Sequence, residues 1–332
     1  MLRRIGCLLL ATLFVGCSSD ASGTDAVTDT GSGEGSAAGS GEDSGSGAPF
    51  ELPADVRPSS GCGKRSYGPG VNKLELTFGG LTRKYDLVLP DSYDDRLPLP
   101  MVMNLHPLVL GGPLHSIWTS QSALNAKGNA EGFIVVQPDG TGSPASWNAG
   151  EACCRPAFSN GIDDVGYIDA LVKAIAEVSC VDERRVYSTG MSNGGYLSHR
   201  IACEHPERLA AIAPVVGSLS PELACVTGRG VPVLQISGSE DELASRQASV
   251  DAWVGINGCT AETAVTYEVG DVVCTTHTTC RDGVEVTHCV VNGGGHCPFT
   301  DVSPQATPGC DARPDIVAQE LIWAFLSRWK LP

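Results

Sequence analysis

The sequence has few basic residues and lacks the cysteine and histidine spacings that usually bind metals. It holds 22 Lys and Arg against 38 Asp and Glu, a formal net charge of −16 over 332 residues. Because such an acidic chain repels nucleic acid and anionic surfaces, we expect no nucleic-acid partner. Its 14 cysteines and 7 histidines contain no C-x-x-C and no H-x-x-x-H pattern. We therefore expect no metal site and no bound cofactor.

Long apolar runs are also scarce, and one lies at the start of the chain. Arg3 and Arg4 precede an apolar run from Leu8 to Val15, which is too short to span a bilayer comfortably. This order is typical of a secretory signal. The run ends in Phe14-Val15-Gly16-Cys17, which resembles a bacterial lipobox with Phe in place of the usual Leu. We expect a lipoprotein-type signal over residues 1–16 and lipidation of Cys17; ordinary signal cleavage nearby is the alternative.

The next segment lacks large apolar side chains and cannot bury a core. From Ser18 to Arg57 there are eight acidic residues and no basic residue before Arg57. Residues 17–60 are therefore expected to form a lipidated cysteine followed by a disordered Gly/Ser/Asp linker. This arrangement predicts an extracellular or cell-surface protein, an outer-membrane lipoprotein that meets the membrane only through its lipid anchor.

Residues 61–332 alternate between strand-like and helix-like segments. The predicted strands are Tyr85–Pro90, Met101–Leu105, Phe133–Val136, Val186–Thr189, Ala210–Val216 and Val231–Ser237. The predicted helices are Trp118–Glu131, one capped by Asp163 or Asp164, Asn193–Cys203 and Pro314–Lys330. Continuously apolar strands that alternate with helices indicate an α/β domain, with a mostly parallel sheet and helices on both faces.

One stretch has the pattern of a catalytic nucleophile. Gly190-x-Ser192-x-Gly194 lies between the strand-like Val186–Thr189 and the helix-like Asn193–Cys203. A serine between a strand and a helix sits on a strained turn that small flanking residues permit. The turn exposes the hydroxyl at a helix N-terminus, which favours developing negative charge. Ser192 is therefore the predicted nucleophile, and an ordinary Gly/Ser turn is the alternative.

A nucleophilic serine needs an acid and a base, and α/β hydrolases carry them in the chain order Ser, acid, His. The predicted strand Val231–Ser237 runs into Gly238-Ser239-Glu240-Asp241, where a triad acid belongs. Asp241 is the preferred acid. Glu240 is the competitor, and a solvated acidic loop is the alternative reading of both.

The base must follow the acid, which leaves three histidines. His277 and His288 lie in strand-like runs, whereas His296 follows the glycine loop Gly293-Gly294-Gly295 at the end of a strand. Such a loop lets the imidazole reach over the edge of the sheet. His296 is therefore the predicted base, with a plain glycine turn as the alternative.

The oxyanion hole needs two N–H donors. The N–H of Asn193, directly after the nucleophile, is the first predicted donor. The second should come from the loop that follows Leu105. Pro107 has no N–H, so Leu108 is the better candidate. His106 is expected to support this loop through a hydrogen bond rather than take part in the chemistry.

Twelve cysteines remain after Cys7 in the signal and the predicted lipidation site. An even number behind a signal indicates disulfide bridges in an oxidising compartment. The stretch 259–297 has the pattern of a hairpin turning near 281–283, which places Cys274 opposite Cys289. Cys259 is then left for Cys280, and Cys297 and Cys310 can close a local loop. Fifteen pairings stay open for the others, which are Cys62, Cys153, Cys154, Cys180, Cys203 and Cys225.

These stretches together resemble the secreted polyhydroxybutyrate depolymerase and feruloyl esterase-like family, which is related to carbohydrate esterase family 1. The strongest match runs from Val181 to Gly195, preceded by Asp163–Tyr167 and followed by Ala202–Glu204 and Ala211–Val215. Gly293-Gly294-Gly295-His296 resembles the histidine loop of that family. The resemblance extends from about Cys62 to the C-terminus. It implies an α/β-hydrolase catalytic domain over residues 61–332, with the triad Ser192, Asp241 and His296.

The sequence departs from the family pattern at three places. Leu105-His106-Pro107 stands where the family has Leu-His-Gly, Ser237-Gly238-Ser239 where it has His-Gly-Thr, and Cys297-Pro298 where it has Trp-Pro. The sequence has no recognisable polymer-binding module, so a feruloyl or acetyl ester on plant polysaccharide fits at least as well as a solid polyester.

We therefore expect a serine carboxylic ester hydrolase that works through an acyl-enzyme. Its substrates would be feruloyl or acetyl esters of plant polysaccharide, or hydroxyalkanoate esters. An inactive hydrolase-fold lipoprotein with a binding role is the main alternative, and a peptidase of the same fold is a third possibility.

Overall fold

The computed structural model describes residues 52–108, 123–225, 228–244, 246–299, 310 and 316–332. The predicted signal and Cys17 lie outside the described residues. A compact unit extends from Leu52 to Pro332, so the expected linker up to residue 60 ends too late. Ser59 is buried, and its hydroxyl donates to the Ser179 carbonyl at 2.7 Å and accepts the N–H of Val181 at 3.0 Å. Composition did not reveal this attachment because it depends on hydrogen bonds rather than apolar burial.

Within the described residues, ten strands form one sheet. Their bounds are β1 Gly70–Phe78, β2 Leu81–Leu89, β3 Leu99–Leu105, β4 Ile134–Pro138, β5 Val181–Met191, β6 Ala211–Val215, β7 Val233–Gly238, β8 Ala264–Val269, β9 Val272–His277 and β10 Val286–Val291. Their order across the sheet is β1-β2-β4-β3-β5-β6-β7-β10-β9-β8. The six central strands pair in parallel, in the order β4-β3-β5-β6-β7-β10. The predicted mostly parallel sheet is confirmed, and antiparallel strands extend it at both edges.

The described helices cover both faces of this sheet, as predicted. They are α1 Ala123–Glu131, α2 Asp164–Val178, α3 Asn193–Glu204, α4 Arg246–Ile256 and α5 Ala318–Leu326, with a short 3-10 helix at Arg281–Gly283. Buried side chains of α2, α3 and α4 contribute to one core cluster, and those of α1 and α5 contribute to a second. In the part of the chain that the structure describes, no helix is both long and apolar enough to span a membrane.

The central strands feed both clusters, which explains why they are continuously apolar. Met101 and Met103 of β3 belong to the first cluster, whereas Val102 between them belongs to the second. Successive side chains of a strand point to opposite faces, so a strand covered on both faces needs apolar residues at every position.

Several element bounds differ from the sequence prediction. Residues 118–122 of the predicted first helix lie outside the described residues. The closing helix is shorter than Pro314–Lys330 because Val317 has extended backbone and the helix ends at Leu326. Asp163 caps α2 by accepting the N–H of Gly166 at 2.8 Å, whereas the Asp164 side chain is fully buried. The strands β1 and β8 and the helix α4 were not predicted.

Six disulfide bridges join the twelve cysteines between Cys62 and Cys310. Cys274 and Cys289 face each other on the antiparallel strands β9 and β10, as the predicted hairpin requires. The structure also contains the other two predicted bridges and resolves the fifteen open pairings. The remaining bridges are Cys259–Cys280, Cys297–Cys310, Cys62–Cys180, Cys153–Cys154 and Cys203–Cys225.

A fully buried histidine connects α3, α4 and β7. The indole N–H of Trp253 lies 2.9 Å from Nδ1 of His199, so Nδ1 is the acceptor and Nε2 carries the proton. Nε2 lies 2.9 Å from Oε1 of Gln235, and the Gln235 amide donates onward to the carbonyl of Gly217 at 3.1 Å. Burial lowers the pKa of His199 to about 4, because the interior disfavours the charged imidazole.

This burial predicts a loss of stability in mild acid. A histidine in the unfolded chain has a pKa near 6.5, so between about pH 6.5 and pH 4 the unfolded chain binds more protons than the folded protein. The free energy of unfolding should therefore fall as pH drops through that window, by up to about 3 kcal/mol from His199 alone. Urea unfolding at pH 7 and pH 4.5 should give a smaller difference for His199→Gln than for the wild type.

The partly exposed His277 on β9 offers a matched control. His277→Gln should keep the acid-induced loss of the wild type, because this imidazole is not in the buried network. An equal loss in the wild type and in His199→Gln would contradict the prediction.

Candidate active site

The candidate nucleophile lies on a tight turn between β5 and α3. Ser192 follows Met191, the last residue of β5, and has a φ of 51°. Residues other than glycine seldom adopt this left-handed region, and such strain in a serine is a feature of nucleophile elbows. The N–H of Ser192 donates to the carbonyl of Val215 on β6 at 2.9 Å. The turn is therefore tied to the neighbouring strand.

Two glycines let the end of β3 approach this turn. A β-carbon at Gly190 or at Gly194 would meet the carbonyl oxygen of Leu105, the last residue of β3. A β-carbon at Gly194 would also lie 2.8 Å from the carbonyl oxygen of His106. The glycines of the motif are thus required by a neighbouring strand as well as by the turn itself.

Three side chains from distant parts of the sequence form a hydrogen-bonded chain at the carboxyl edge of the parallel strands. Nε2 of His296 lies 2.8 Å from Oγ of Ser192, and Nδ1 lies 3.0 Å from Oδ2 of Asp241. The Asp241 carboxylate is fully buried, and the imidazole is 22% exposed. A carboxylate only accepts hydrogen bonds, so Nδ1 carries the proton and Nε2 can accept the serine hydroxyl. The ring is thus oriented to take a proton from Ser192.

The geometry favours Asp241 over Glu240 as the acid and His296 over the other two histidines as the base. Oδ1 of Asp241 accepts the N–H of Leu243 at 2.9 Å, so both carboxylate oxygens have donors. Glu240 is exposed, and it contributes its backbone N–H to the Gly294 carbonyl at 2.8 Å. The competing histidines lie on β9 and β10, as the sequence predicted.

The loop that carries the histidine rests directly on the end of β7. A β-carbon at Gly238 would collide with the carbonyl oxygens of Gly294 and Gly295, so a glycine is required there. The hydroxyl of Ser239 accepts the N–H of Gly293 at 2.8 Å. The departure to Ser237-Gly238-Ser239 therefore keeps both a glycine and a hydroxyl at the positions that hold this loop.

One predicted oxyanion donor, Asn193, directly follows Ser192 in the chain. The other, Leu108, follows β3, the strand that pairs with β5. Asn193 is the first residue of α3, so its N–H has no acceptor within the helix. Leu108 lies three residues past the end of β3 and is 36% exposed. The His106 ring supports this loop through the N–H of Gly140, which donates to Nε2 at 2.8 Å, and through Nδ1, 2.6 Å from the Pro107 carbonyl. The donor roles of Asn193 and Leu108 stay predictions.

Sequence reasoning missed one residue that contacts both donor segments. Trp147 is fully buried in the loop after β4. Its backbone N–H and carbonyl bind the side-chain amide of Asn193 at 2.7 and 3.0 Å, and its indole N–H donates to the His106 carbonyl at 2.9 Å. These partners lie 46 and 41 residues away in the sequence, so no local pattern marks this tryptophan.

A buried ion pair supports the same loop. The Arg83 guanidinium lies 2.6 Å from the Asp164 carboxylate, and both side chains are almost completely buried. Arg83 also donates to the Asp139 carbonyl at 3.0 and 2.8 Å, and Asp164 accepts the N–H of Asn148 at 2.6 Å. Burial raises the pKa of the Asp164 carboxyl, and the Arg83 charge opposes that shift. The pair thus fixes both ends of the segment that contains Trp147.

A cavity of about 390 Å³ lies at the other end of the parallel strands, where β5 begins, and is not part of this site. Its lining includes Val181, the first residue of β5, whereas Ser192 follows the end of the same strand. Charged residues around the cavity pair with one another, as in the 2.6 Å contact between Lys173 and Asp169.

Comparison with known proteins supports the fold and the family resemblance. The model of the Prolyl oligopeptidase family matches residues 119–225, which include the Ser192 turn. Feruloyl esterase B of Piromyces equi is 29% identical over 238 residues, or 64% of this chain and 42% of that protein. Feruloyl esterase D of Neurospora crassa is 28% identical over 293 residues, or 83% of this chain and 92% of that protein. The chain thus spans less than half of the Piromyces protein and most of the Neurospora protein.

Two solved structures show the same fold at low sequence identity. A thermostable esterase has a TM-score of 0.54 and 16% identity, with coverage of 78% of this chain and 63% of that chain. The acetyl xylan esterase from Aspergillus awamori has a TM-score of 0.54 and 17% identity, with coverage of 68% and 94%. The predicted α/β-hydrolase fold is confirmed, and the chain is similar in sequence to feruloyl esterases.

The contact between β3 and the turn predicts that Gly194→Ala is destabilising. The new β-carbon would collide with the Leu105 carbonyl, and backbone cannot yield as a flexible side chain does. Overpacking of this kind costs roughly 1–3 kcal/mol or more, measurable as a fall in the free energy of unfolding in urea. Gly255→Ala is the control, because a β-carbon there meets nothing within 4 Å and lies in α4. It should be neutral or stabilising by up to about 1 kcal/mol, and equal stability of the two variants would contradict the prediction.

Proposed function

We propose that the chain is a serine carboxylic ester hydrolase that acts on feruloyl or acetyl esters of plant polysaccharide. The observation that carries the proposal is the hydrogen-bonded chain from Ser192 through His296 to Asp241, with the serine on a strained strand-to-helix turn. Its order along the sequence is that of α/β hydrolases. Similarity to feruloyl esterases over as much as 83% of the chain supports the same reaction class.

In the acylation step, Oγ of Ser192 attacks the ester carbonyl carbon while Nε2 of His296 takes the hydroxyl proton. Asp241 accepts the Nδ1–H throughout, so it holds the ring and stabilises the imidazolium. The N–H groups of Asn193 and Leu108 donate to the developing oxyanion. The ester C–O bond then breaks, the alcohol leaves with the proton from His296, and the acyl group stays on Ser192.

In the deacylation step, His296 removes a proton from a water molecule that attacks the acyl carbon. The bond between that carbon and Oγ of Ser192 breaks, and the proton returns from His296 to the serine. The products are a free carboxylic acid and the regenerated enzyme, so the cycle needs neither metal nor cofactor.

Exposed apolar side chains near the triad favour an aromatic acyl group. The backbone N–H of Leu243 donates to Asp241, yet Leu243 as a residue is 73% exposed, and Leu108 is 36% exposed. Apolar groups held at the rim of a polar site can cover one face of a phenylpropenoyl group. Hydroxyalkanoate esters are the second substrate class, and they offer no comparable flat surface.

A peptidase is the second candidate activity. The match of the Prolyl oligopeptidase family model to residues 119–225 favours it, and the same triad can cleave amides. A peptidase cleaves activated esters as well as amides, so activity on the amide separates the two: we expect turnover of a p-nitrophenyl ester and no detectable turnover of the matching p-nitroanilide.

The triad proposal predicts large and non-additive losses of turnover. Ser192→Ala and His296→Ala should each lower kcat on methyl ferulate by about 10⁴-fold or more, and the double variant should be no worse, because the residues act as one unit. Asp241→Asn should also lose about 10⁴-fold, since the ring loses its orienting charge. Steady-state kinetics on folded variants, together with p-nitrophenyl acetate and hydroxybutyrate oligomers as alternative substrates, measures these effects.

Matched controls come from the rejected candidates. Glu240→Gln and His277→Ala change exposed or partly exposed side chains outside the hydrogen-bonded chain and should keep near wild-type kcat. Near-normal hydrolysis by folded Ser192→Ala would rule out the proposed mechanism, whereas a wild type that hydrolyses no ester would favour a binding role. Faster turnover of hydroxybutyrate oligomers than of methyl ferulate would overturn the substrate assignment alone.

We further infer that the protein is extracellular and held at the outer membrane by a lipid on Cys17. The lipobox-like sequence supports the anchor, and the disulfide bridges support an oxidising compartment. In a Gram-negative host, the wild type should incorporate a palmitate analogue and sediment with membranes, whereas Cys17→Ser should do neither. Cys7→Ser, within the predicted signal, should behave as the wild type. Soluble, unlabelled wild-type protein would contradict the anchor.

A further inference from the structure

We propose that Trp147 is a positioning residue that joins the two N–H donors of the oxyanion hole into one rigid arrangement. The inference rests on the proposed ester hydrolysis and adds a residue to it. Trp147 lies in neither donor segment, yet it is hydrogen-bonded to both of them.

On the nucleophile side, Trp147 is held through its backbone. The side-chain amide of Asn193 accepts the Trp147 N–H at 2.7 Å and donates to the Trp147 carbonyl at 3.0 Å. Asn193 is fully buried, so these two bonds are shielded from water. The residue whose backbone N–H is the first predicted donor is therefore fixed by its own side chain to Trp147.

On the β3 side, Trp147 is held through its indole. Its Nε1–H donates to the His106 carbonyl at 2.9 Å, and its ring lies 4.8 Å from the His106 ring, centroid to centroid. Because Nε2 of His106 accepts the N–H of Gly140, its Nδ1 carries the proton and donates to the Pro107 carbonyl at 2.6 Å. Both ends of His106, backbone and ring, are thereby fixed.

The second donor follows from the planarity of the peptide bond. The Pro107 carbonyl and the Leu108 N–H belong to one trans peptide and point in opposite directions. A hydrogen bond that holds the carbonyl therefore sets the direction of the Leu108 N–H. Trp147 acts on this peptide through His106, and it acts on the Asn193 donor directly.

The position of Trp147 is itself strongly determined. It is fully buried, and the Arg83 guanidinium lies 5.1 Å from the centre of its ring. Arg83 is fixed by the ion pair with Asp164, which also accepts the N–H of Asn148, the residue after Trp147. A buried aromatic ring could serve packing alone, so the test must remove the indole N–H and keep the ring.

Trp147→Phe leaves the backbone bonds to Asn193 in place and removes the N–H that holds the His106 carbonyl. Loss of a whole oxyanion donor costs about 10²–10³-fold in kcat, so a misdirected donor should cost about 10–100-fold. KM should change little, because the uncharged ester makes less use of these donors than the oxyanion does. Affinity for a boronic acid transition-state analogue should fall in parallel with kcat/KM.

Trp253→Phe is the matched control. It removes one fully buried indole N–H, donated to His199, from a position outside both donor segments. Its kcat should stay within about twofold of the wild type at a temperature well below unfolding. Equal losses of kcat in the two variants, or normal boronate affinity in Trp147→Phe, would overturn the inference.

A second replacement guards against misfolding of Trp147→Phe. Benzothienylalanine at position 147 has the shape of tryptophan and a sulfur in place of the N–H, so the same kinetic losses are expected without a change in packing. Wild-type kinetics for this variant would overturn the role of Trp147 and leave the proposed function standing. Failure of the wild type to hydrolyse any ester, or to react with a fluorophosphonate at Ser192, would instead be a failure of the proposed function.

Discussion

The approach of the β3 backbone to the glycine-flanked turn at Ser192 is the contact on which the rest of the site depends. Gly190 and Gly194 leave room for the Leu105 carbonyl, so strand end and turn touch without any side chain between them. This closeness places the segment after β3 beside the nucleophile. It also allows one tryptophan to reach both segments, which longer separations would prevent.

The three groups of the candidate triad come from separate connections at one edge of the sheet, and each connection is fixed in a different way. The serine turn is held by neighbouring backbone, the acid by the N–H of Leu243, and the histidine loop by Gly238 and Ser239. Preorganised groups need not rearrange as charge develops, which is the main physical advantage of an enzyme site over water.

Much of this arrangement could be predicted from the sequence because the signals are local. The G-x-S-x-G turn lies between a buried strand and a helix, Asp241 follows a strand, and His296 follows a glycine loop. In parallel strands, such ends meet at one edge. The register of the β9–β10 hairpin likewise gave Cys274 its partner from neighbouring sequence alone.

The rest could not be predicted because it depends on contacts between distant residues. Trp147 sits in a Gly- and Ser-rich stretch with no periodicity. The Arg83–Asp164 pair joins β2 to α2, which are far apart in the sequence. The bridge Cys62–Cys180 closes 118 residues. The strand β8 is almost wholly exposed and therefore carries no apolar alternation, whereas β1 alternates between half-buried and exposed residues.

The bridge between Cys297 and Cys310 fixes the chain directly after His296, whatever the sequence between the two cysteines. It closes a loop by joining the residue directly after His296 to a cysteine 13 positions further along the chain. A covalent bond at position 297 keeps length changes and substitutions inside that loop from pulling on the imidazole. Over evolutionary time, the sequence between these two cysteines can therefore change while the candidate base keeps its place.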